Sequence, residues 1–431
     1  MKRKTLIAFL LVAAFFVTAA LASWNEQTSG TTQDLNALGF ASEALGFAAG
    51  ANGTVLATAN GGLTWEAKTS GTTEAFNDVL FPATAEAYFL GSSGTVLKTT
   101  DQGSSFTNVT FTGITGANYQ QGAASGTTRL IAANMGTGSN GYLITSTDSG
   151  ASWTSAATTN LEPAGVALGA GGEVFVWGRD YSSGNYVIWK NGSQVWSGVS
   201  AVNDLFLATS SVGYAVGASG LLLKTGNNGE SWTALTGLTQ DLNSLNFVTA
   251  DFGWVVGENG SVSFTSDGGT SWVSYTLADP TVDIKDIAVR SAAGASAVAA
   301  AVVEKHVWIS GSGGKIYKLA SPDLFSFNPA SGRQGWLGTF EVTGQNFMDG
   351  AAISFSGSGI SVITTDFVSS SQLSAFIVIS VEATVGTRDV TVTNPDATVI
   401  TSAAAFSVTV NTTPVIIRSI RLDNNSYVSP E

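Results

Sequence analysis

Polar residues that recur at a regular interval are the part of this sequence with the clearest chemical potential. Amide and amine side chains stand about 40 residues apart, or at multiples of that interval, at Asn36, Asn77, Asn203, Asn243 and Lys285. Three of the residues that directly follow are acids, namely Asp78, Asp204 and Asp286. Such groups can bind a peptide, a sugar or a cation if the fold brings them together. The simpler alternative is that they cap and turn the chain into a strand.

Few other residues offer chemistry. The chain has no cysteine and one histidine, His306, so disulfides, cysteine-based zinc sites, thiol nucleophiles and most serine triads are excluded. His306 follows Glu304, and a single imidazole near a carboxylate is more simply interpreted as a structural residue. We expect no catalytic residue, no metal and no cofactor.

The composition predicts β-structure. Of 431 residues, 44% are hydrophobic, 11% are charged and 50 are glycine. Disordered chains are poor in apolar residues and rich in charge, so this chain is expected to fold into strands joined by tight turns. The formal net charge of −13 disfavours binding to phosphate backbones, and nucleic acid is therefore not an expected partner.

The N-terminus has the features of an export signal. Lys2, Arg3 and Lys4 precede an apolar run from Leu6 to Ala19, and Ala20-Leu21-Ala22 fits the small-x-small cleavage rule. We predict a signal peptide over residues 1–22, cleavage after Ala22, and a secreted, periplasmic or cell-surface protein without a membrane span. A retained membrane anchor is the alternative, although the apolar run is short for a span.

A repeat of about 40 residues follows. Each unit has a short apolar strand, then Gly-aromatic-x-Val-Gly-x-x-Gly or a variant, then a turn that ends in an aromatic residue. The ending aromatics are Trp24, Trp65, Phe106, Trp153, Trp196, Trp232 and Trp272. This spacing is typical of four short strands per unit, which form a propeller blade with its first strand on the central channel.

We expect seven blades over residues 23–320. Residues 23–27 would supply the fourth strand of a last sheet built from residues 282–320, where we expect strands at 283–287, 296–303 and 306–318. Closure of the ring would remove exposed sheet edges. The recurring amides and acids would then lie at one mouth of the channel.

The turns carry the strongest motif. The string Ser146-Thr147-Asp148-Ser149-Gly150-Ala151-Ser152-Trp153 resembles the Asp-box (BNR) repeat. The whole-repeat pattern resembles the seven-bladed propeller of photosystem II assembly/stability factors, and the resemblance covers about residues 23–320. It implies a structural role in the turns for Asp101, Gly103, Phe106, Asp148, Gly150, Trp153, Asn227, Gly229, Trp232, Asp267, Gly269 and Trp272.

Asp-boxes also occur in sialidases, which makes a glycosidase the sharpest alternative. Sialidase chemistry needs an arginine cluster and a Tyr/Glu pair, whereas the propeller region holds only Arg129, Arg179 and Arg290. Aromatic residues also concentrate in one irregular blade, where carbohydrate stacking is an alternative to packing between blades. They are Trp177, Tyr181, Tyr186, Trp189 and Trp196.

A second domain is expected over residues 321–410. Short alternating strands with regular turn signals predict a β-sandwich. The strings Gly344-Gln345-Asn346-Phe347 and Gly386 to Asp396 resemble an IPT/TIG domain, which has an immunoglobulin-like fold and usually serves as a spacer or adhesive module. Residues 411–431 are interpreted as a linker or the start of a further module of a longer chain.

The preferred interpretation is an exported, non-enzymatic binding or scaffold protein. Its propeller would present one face to a protein or carbohydrate ligand. Two alternatives remain open at this point. One is a polysaccharide-active glycoside hydrolase or sialidase-like enzyme, which would show paired free acids in a cleft. The other is an assembly factor for a membrane protein complex.

Overall fold

The computed structural model describes residues 24–136, 140–275, 277, 279–291, 305–320, 323–395, 398–411, 420–421 and 427–428. Within these ranges the chain forms β-strands and three short 3-10 turns, at Ala51–Gly53, Ala218–Gly220 and Ser312–Gly314. The predicted all-β fold class is confirmed. No helix among these residues is long and apolar enough to cross a membrane. The predicted signal peptide and most of residues 412–431 lie outside the described ranges.

The N-terminal strand β1 (Trp24–Gln27) precedes three consecutive four-stranded sheets. Blade 1 contains β2 (Leu35–Phe40), β3 (Gly46–Gly50), β4 (Val55–Thr58) and β5 (Glu66–Lys68). Blade 2 contains β6 (Phe76–Ala83), β7 (Glu86–Gly91), β8 (Val96–Thr99) and β9 (Thr107–Asn108). Blade 3 contains β10 (Asn118–Ser125), β11 (Thr128–Asn134), β12 (Gly141–Ser146) and β13 (Thr154–Thr158).

Four more sheets follow in the same antiparallel order. Blade 4 contains β14 (Leu161–Leu168), β15 (Val174–Asp180), β16 (Tyr186–Lys190) and β17 (Ser193–Gly198). Blade 5 contains β18 (Val202–Leu207), β19 (Gly213–Gly217), β20 (Leu222–Thr225) and β21 (Thr233–Ala234). Blade 6 contains β22 (Leu242–Phe247), β23 (Gly253–Gly257), β24 (Val262–Thr265) and β25 (Val273–Tyr275). Blade 7 contains β26 (Ile284–Ser291), β27 (Lys305–Gly311) and β28 (Ile316–Leu319), to which β1 adds the fourth strand.

The sheets close into a ring. The first strand of each blade contacts that of the next, from β2 through β6, β10, β14, β18 and β22 to β26, which contacts β2 again. In blade 7, β1 pairs antiparallel with β28, and Trp24 lies opposite Leu319. Trp24 also packs edge-on against Tyr275 of blade 6, with ring centroids 6.2 Å apart. The N-terminal strand therefore completes the last sheet, as its sequence indicates.

Blade 7 differs from the expectation in its strand boundaries. We expected one strand over residues 306–318, but the structure has a hairpin there, because the turn at Ser312–Gly314 separates β27 from β28. Gly313 and Gly314 both have positive φ, which turns the chain within three residues. The strand expected at residues 296–303 lies outside the described ranges.

The Gly-x-x-Gly motif has two glycines with different roles. Gly217 is extended, with φ at −176°, whereas Gly220 is left-handed, with φ at +71°. A Cβ on Gly217 would lie 1.8 Å from the carbonyl oxygen of Ala201. The first glycine therefore permits a close approach of two strands, and the second permits the turn.

The aromatic residues connect neighbouring blades. Tyr88 of blade 2 lies against Trp153 of blade 3 with ring centroids 6.0 Å apart, and a Cβ on Gly150 would meet the Tyr88 hydroxyl. Gly229 of blade 5 abuts Phe175 of blade 4 in the same way. These large rings are buried between sheets and contribute apolar contact between neighbouring blades.

The C-terminal region forms two packed four-stranded sheets, as predicted for a β-sandwich. One sheet has the order β29 (Asp323–Asn328), β31 (Leu337–Gln345), β34 (Gln372–Ile379), β33 (Ile360–Ser369). The other has the order β30 (Ser331–Arg333), β36 (Val399–Thr409), β35 (Gly386–Thr393), β32 (Ala352–Phe355). A final pair, β37 (Ile420–Arg421) and β38 (Tyr427–Val428), lies beyond them.

Phenylalanines from both sheets fill the sandwich core. Phe340 and Phe406 are fully buried, with ring centroids 5.5 Å apart. A hydrogen bond links the two segments that resemble an IPT/TIG domain. The amide nitrogen of Asn394 donates to the Asn346 carbonyl at 2.9 Å. The architecture agrees with an immunoglobulin-like sandwich, while the IPT/TIG assignment stays a prediction.

Candidate functional site

Every first strand has a β-bulge at the same place. The register shifts lie at Leu35/Ala37, Phe76/Asp78, Tyr119/Gln121, Pro163/Gly165, Val202/Asp204, Leu242/Ser244 and Ile284/Asp286. The bulged residue has no ladder partner, and its side chain is turned toward one mouth of the channel. The bulge therefore positions the recurring polar residues at this mouth of the channel.

A cavity of about 200 Å³ occupies this mouth. All eight residues predicted to ring the mouth line it: Asn36, Asn77, Asp78, Asn203, Asp204, Asn243, Lys285 and Asp286. Gln120, Gln121, Ala164 and Ser244 complete the wall. Blades 3 and 4 lack the clear repeat start of the others, so Gln120 and Ala164 were missed. The interval of 43 residues between Asn77 and Gln120 is the signal that could have found the blade 3 position.

The asparagines join neighbouring blades. Each donates its amide N–H to the carbonyl of the residue that precedes the bulge in the next blade. The bonds are Asn36 to Phe76 at 2.9 Å, Asn77 to Tyr119 at 2.9 Å, Asn203 to Leu242 at 2.8 Å and Asn243 to Ile284 at 2.8 Å. We expected either ligand binding or a turn within the same strand. The amides instead satisfy carbonyls of the adjacent strand, beside the point where the bulge interrupts its ladder.

The three acids make a second set of links between blades. Each carboxylate accepts one bond from the next residue of its own strand and one from the first strand of the following blade. The former donors are the N–H groups of Val79, Leu205 and Ile287, and the latter are those of Gly122, Leu245 and Leu38. All six carboxyl oxygens therefore already accept hydrogen bonds.

Side chains connect the acids across the channel. Gln121 of blade 3 donates to Asp204 of blade 5 at 2.9 Å. The Ser244 hydroxyl oxygen lies 3.0 Å from Asp204 Oδ2 and 2.9 Å from Asp286 Oδ1. A hydroxyl has one proton and can donate to only one of them. The second short contact requires a proton on a carboxyl group.

The electrostatics agree with a shared proton. Burial, with a smaller contribution from the nearby Asp78 and Asp204 carboxylates, raises the pKa of Asp286 to about 8. Burial raises the pKa of Asp78 to about 6 and also raises the pKa of Asp204. We infer that Asp286 carries a proton at neutral pH and that Ser244 bridges it to Asp204. Lys285 is the cation of this wall, and its ammonium lies 3.7 Å from Asp283.

The Asp-box residues lie in peripheral hairpins, away from the channel. Asp148 accepts bonds from the Ser152 backbone N–H at 2.9 Å and from the Ser146 hydroxyl at 2.7 Å. The Ser152 side chain also donates to Asp148, and this bond, with the others, lowers the pKa of Asp148 to about 2. Ser146 in turn accepts from the Gly150 N–H at 2.8 Å.

The same arrangement recurs in other blades. Asp101 and Asp267 bind Ser105 and Ser271 in the equivalent way, and their pKa values are also lowered to about 2. Asn227 accepts from the Ser231 N–H at 3.1 Å. Gly103, Gly150, Gly229 and Gly269 all have positive φ. Phe106, Trp153, Trp232 and Trp272 pack, partly buried, against hydrophobic clusters of the blades.

The arginines that a sialidase would need do not converge. Arg129 donates to the Gly126 carbonyl at 2.7 Å in blade 3, and Arg179 lies over the Tyr181 ring in blade 4. Arg290 lies in blade 7. Trp177 is fully buried, which removes it from carbohydrate stacking. Among the described residues no group of three or more His, Cys, Asp or Glu side chains could hold a metal ion.

His306 occupies a structural position. Its Nε2 lies 3.6 Å from the Glu43 carboxylate of blade 1, and its ring stacks on Trp308 with centroids 5.6 Å apart. Glu304, the neighbour noted in the sequence, lies outside the described residues. The histidine thus joins blade 7 to blade 1.

Fold and site define a β-propeller of Asp-box repeats whose channel is bridged by amides and carboxyls. The model of the family "Photosynthesis system II assembly factor YCF48" matches residues 17–201, which is less than half of the chain. None of the curated proteins matches the sequence.

Solved structures of propellers resemble this chain. YCF48 bound to D1 peptide has a TM-score of 0.54 and 19% identity, over 69% of this chain and 97% of the other. YCF48 from Cyanidioschyzon merolae has a TM-score of 0.54 and 16% identity, over 69% and 99%. The WD40 β-propeller domain of Doa1 has a TM-score of 0.52 and 11% identity, over 70% and 97%. At these identities the likeness supports the propeller fold.

Proposed function

We propose that this chain is a non-enzymatic assembly factor for a membrane protein complex, and that its propeller binds a segment of a partner protein. The observation that carries the proposal is the family match over residues 17–201. The structural relative solved with a D1 peptide supports a protein ligand for this type of propeller. The assembly role, at first an alternative, now ranks above a general surface scaffold.

The hydrogen bonds of the channel acids argue against glycoside hydrolysis. A glycosidase needs one carboxyl to protonate the leaving group and a second one to act as base or nucleophile. Asp78, Asp204 and Asp286 use both of their oxygens to accept bonds that hold blades together. Their arrangement fits a structural role.

The proposal includes export and a spacer role for the second domain. The basic residues and apolar run of residues 1–22 support export, and the β-sandwich over 323–411 is of a type that serves as a spacer. N-terminal sequencing of protein from the native host tests the export step. A mature chain that begins at Ser23 is expected, and an intact N-terminus would refute it.

The assembly role is tested by deleting the gene in the native organism. Native electrophoresis with quantitative proteomics should show one membrane complex depleted and its unassembled subunits enriched. Expression of the wild-type chain should restore that complex. Unchanged complexes, together with product release from a glycan by the purified chain, would overturn the proposal in favour of the enzyme.

A further inference from the structure

The channel ends differently on its opposite side. Residues two to five positions beyond the bulges surround a cavity of about 450 Å³, and most of these residues are hydrophobic. Phenylalanines from four blades line it: Phe81 and Phe206 are partly exposed, whereas Phe40 and Phe247 are buried and stack on Trp308 and Tyr214. A volume of this size accommodates a small ligand or a few side chains of a peptide.

One cation enters this wall. Arg290, on β26, lines the cavity, and the described residues provide it with no ion pair. Burial alone lowers the pKa of Arg290, without a contribution from a neighbouring charge. A guanidinium among apolar groups has lost part of its hydration, and a bound carboxylate would compensate with charge-assisted hydrogen bonds.

A second polar group on the same wall is also unpaired. The side-chain amide of Asn246 lines the cavity and makes no hydrogen bond within the described residues. An amide offers both a donor and an acceptor, which is the pair that one peptide unit requires. The wall thus combines one positive charge, one amide and two partly exposed aromatic rings, those of Phe81 and Phe206.

We propose that this cavity binds a peptide segment in which a large apolar side chain is followed by an acidic residue. The apolar side chain would pack against Phe81 and Phe206, and the carboxylate would pair with Arg290. Asn246 would bond to the peptide backbone. This inference rests on the proposed function, since it specifies the protein segment that the assembly factor holds.

A peptide fits the cavity better than a fatty acid. The next layer of the channel contains Asp78, Asp204 and Asp286. The wall of that layer shares Leu38, Phe206, Asn246 and Ile287 with this cavity. A long alkyl chain whose carboxylate paired with Arg290 would have to enter this polar layer, which is unfavourable. The apolar side chain of a peptide is shorter and would end before this layer.

Fluorescence anisotropy with labelled, end-capped peptides tests the proposal on the full chain. A Phe-Glu peptide is expected to bind, and its Phe-Gln and Ala-Glu counterparts to bind more weakly by about tenfold to a hundredfold. Arg290→Gln should abolish the preference for Glu over Gln. Arg179→Gln, a matched change at the Tyr181 ring outside the cavity, should leave the preference intact.

A charge-reversal variant distinguishes loss of the charge from loss of the fold. Arg290→Glu should lose the Phe-Glu peptide and gain a Phe-Arg peptide, which a misfolded chain would not do. Equal binding of all peptides by the wild type would overturn the proposal. Unchanged affinity of the Arg290→Gln variant for every peptide would also overturn it. Saturable palmitate binding that depends on Arg290, without peptide discrimination, would overturn it in favour of a fatty acid.

The outcomes separate this inference from the assembly role. Loss of the membrane complex in the deletion strain, with no peptide discrimination in vitro, would refute the cavity and keep the assembly role. Peptide discrimination with normal complexes in the deletion strain would refute the assembly role and keep the cavity.

Discussion

At the scale of single residues, one hydroxyl determines how the channel acids must be protonated. Ser244 lies within 3.0 Å of carboxyl oxygens on Asp204 and Asp286, and two unprotonated carboxylates cannot both be satisfied by it. The protein thus keeps one proton in this network. The network links blades 5, 6 and 7, and Asp286 extends it to blade 1 through Leu38.

The pH dependence of stability should report this proton. Because the folded-state pKa of Asp286 is raised to about 8, its contribution to the free energy of unfolding is full below the unfolded pKa, near 4. That contribution falls as the pH rises toward 8, by at most about 1.4 kcal/mol per pH unit. Urea unfolding from pH 5 to 8.5 should show the decline in the wild type and a flatter profile in Asp286→Asn.

Asp267→Asn serves as the matched control. The pKa of Asp267 is lowered to about 2, so its stabilising contribution is present above pH 4 and is lost only as the pH falls toward 2. The variant should therefore keep the wild-type slope between pH 5 and 8.5. Equal slopes in the wild type and Asp286→Asn would refute the shared proton.

The Asp-box acids are expected to act as hydrogen-bond acceptors more than as charges. Asn227 and Asn60 occupy the same position in blades 5 and 1 and accept the same backbone bond, at 3.1 and 3.0 Å. Asp148→Asn should therefore keep most of the thermal stability at pH 7, whereas Asp148→Ala should lower the Tm. Similar Tm values for the Ala variant and the wild type would contradict this role.

At the scale of the elements, close strand contacts depend on glycine. A Cβ at Gly217 would lie 1.8 Å from the Ala201 carbonyl oxygen, so Gly217→Ala must displace one of the two strands. We expect a loss of about 3 kcal/mol or more in the free energy of unfolding, measured in urea. Gly226→Ala is the control, because no atom lies within 4 Å of its added Cβ and its φ is not positive. Equal losses in both variants would contradict the steric explanation.

The sequence predicts the elements better than the partners of their side chains. The repeat spacing is sufficient to predict the blades, because each unit contains the Gly and the Asp or Asn residues that form its turns. It also predicts that Asn36 and its equivalents share one mouth. It does not show that their amides bond to the next blade, since a bulge shifts the register without leaving a sequence signature.

At the scale of the whole molecule, the channel has a polar and an aromatic end. Asn36 and Asn77 lie at the polar mouth, and Phe40 and Phe81 lie farther along the same strands at the other end. Between them lies the layer of hydrogen-bonded carboxyls. This polarity follows from the equivalent direction of every first strand in the ring, so a ligand would meet different chemistry at each end.

Ring closure depends on a strand of four residues at the start of the described chain. β1 pairs with β28 over Trp24–Gln27, and Glu26 forms an ion pair with Lys315 at 2.7 Å. Removal of residues up to 27 should leave β28 as an open edge that pairs with another molecule. Light scattering after size-exclusion chromatography should then show larger assemblies than for the chain that begins at Ser23.

Trp24→Ala is the control, since it loses packing against Tyr275 but keeps the ladder; it should lower stability without enlarging the assembly. A truncated chain of unchanged size and stability would show that the ring does not need this strand.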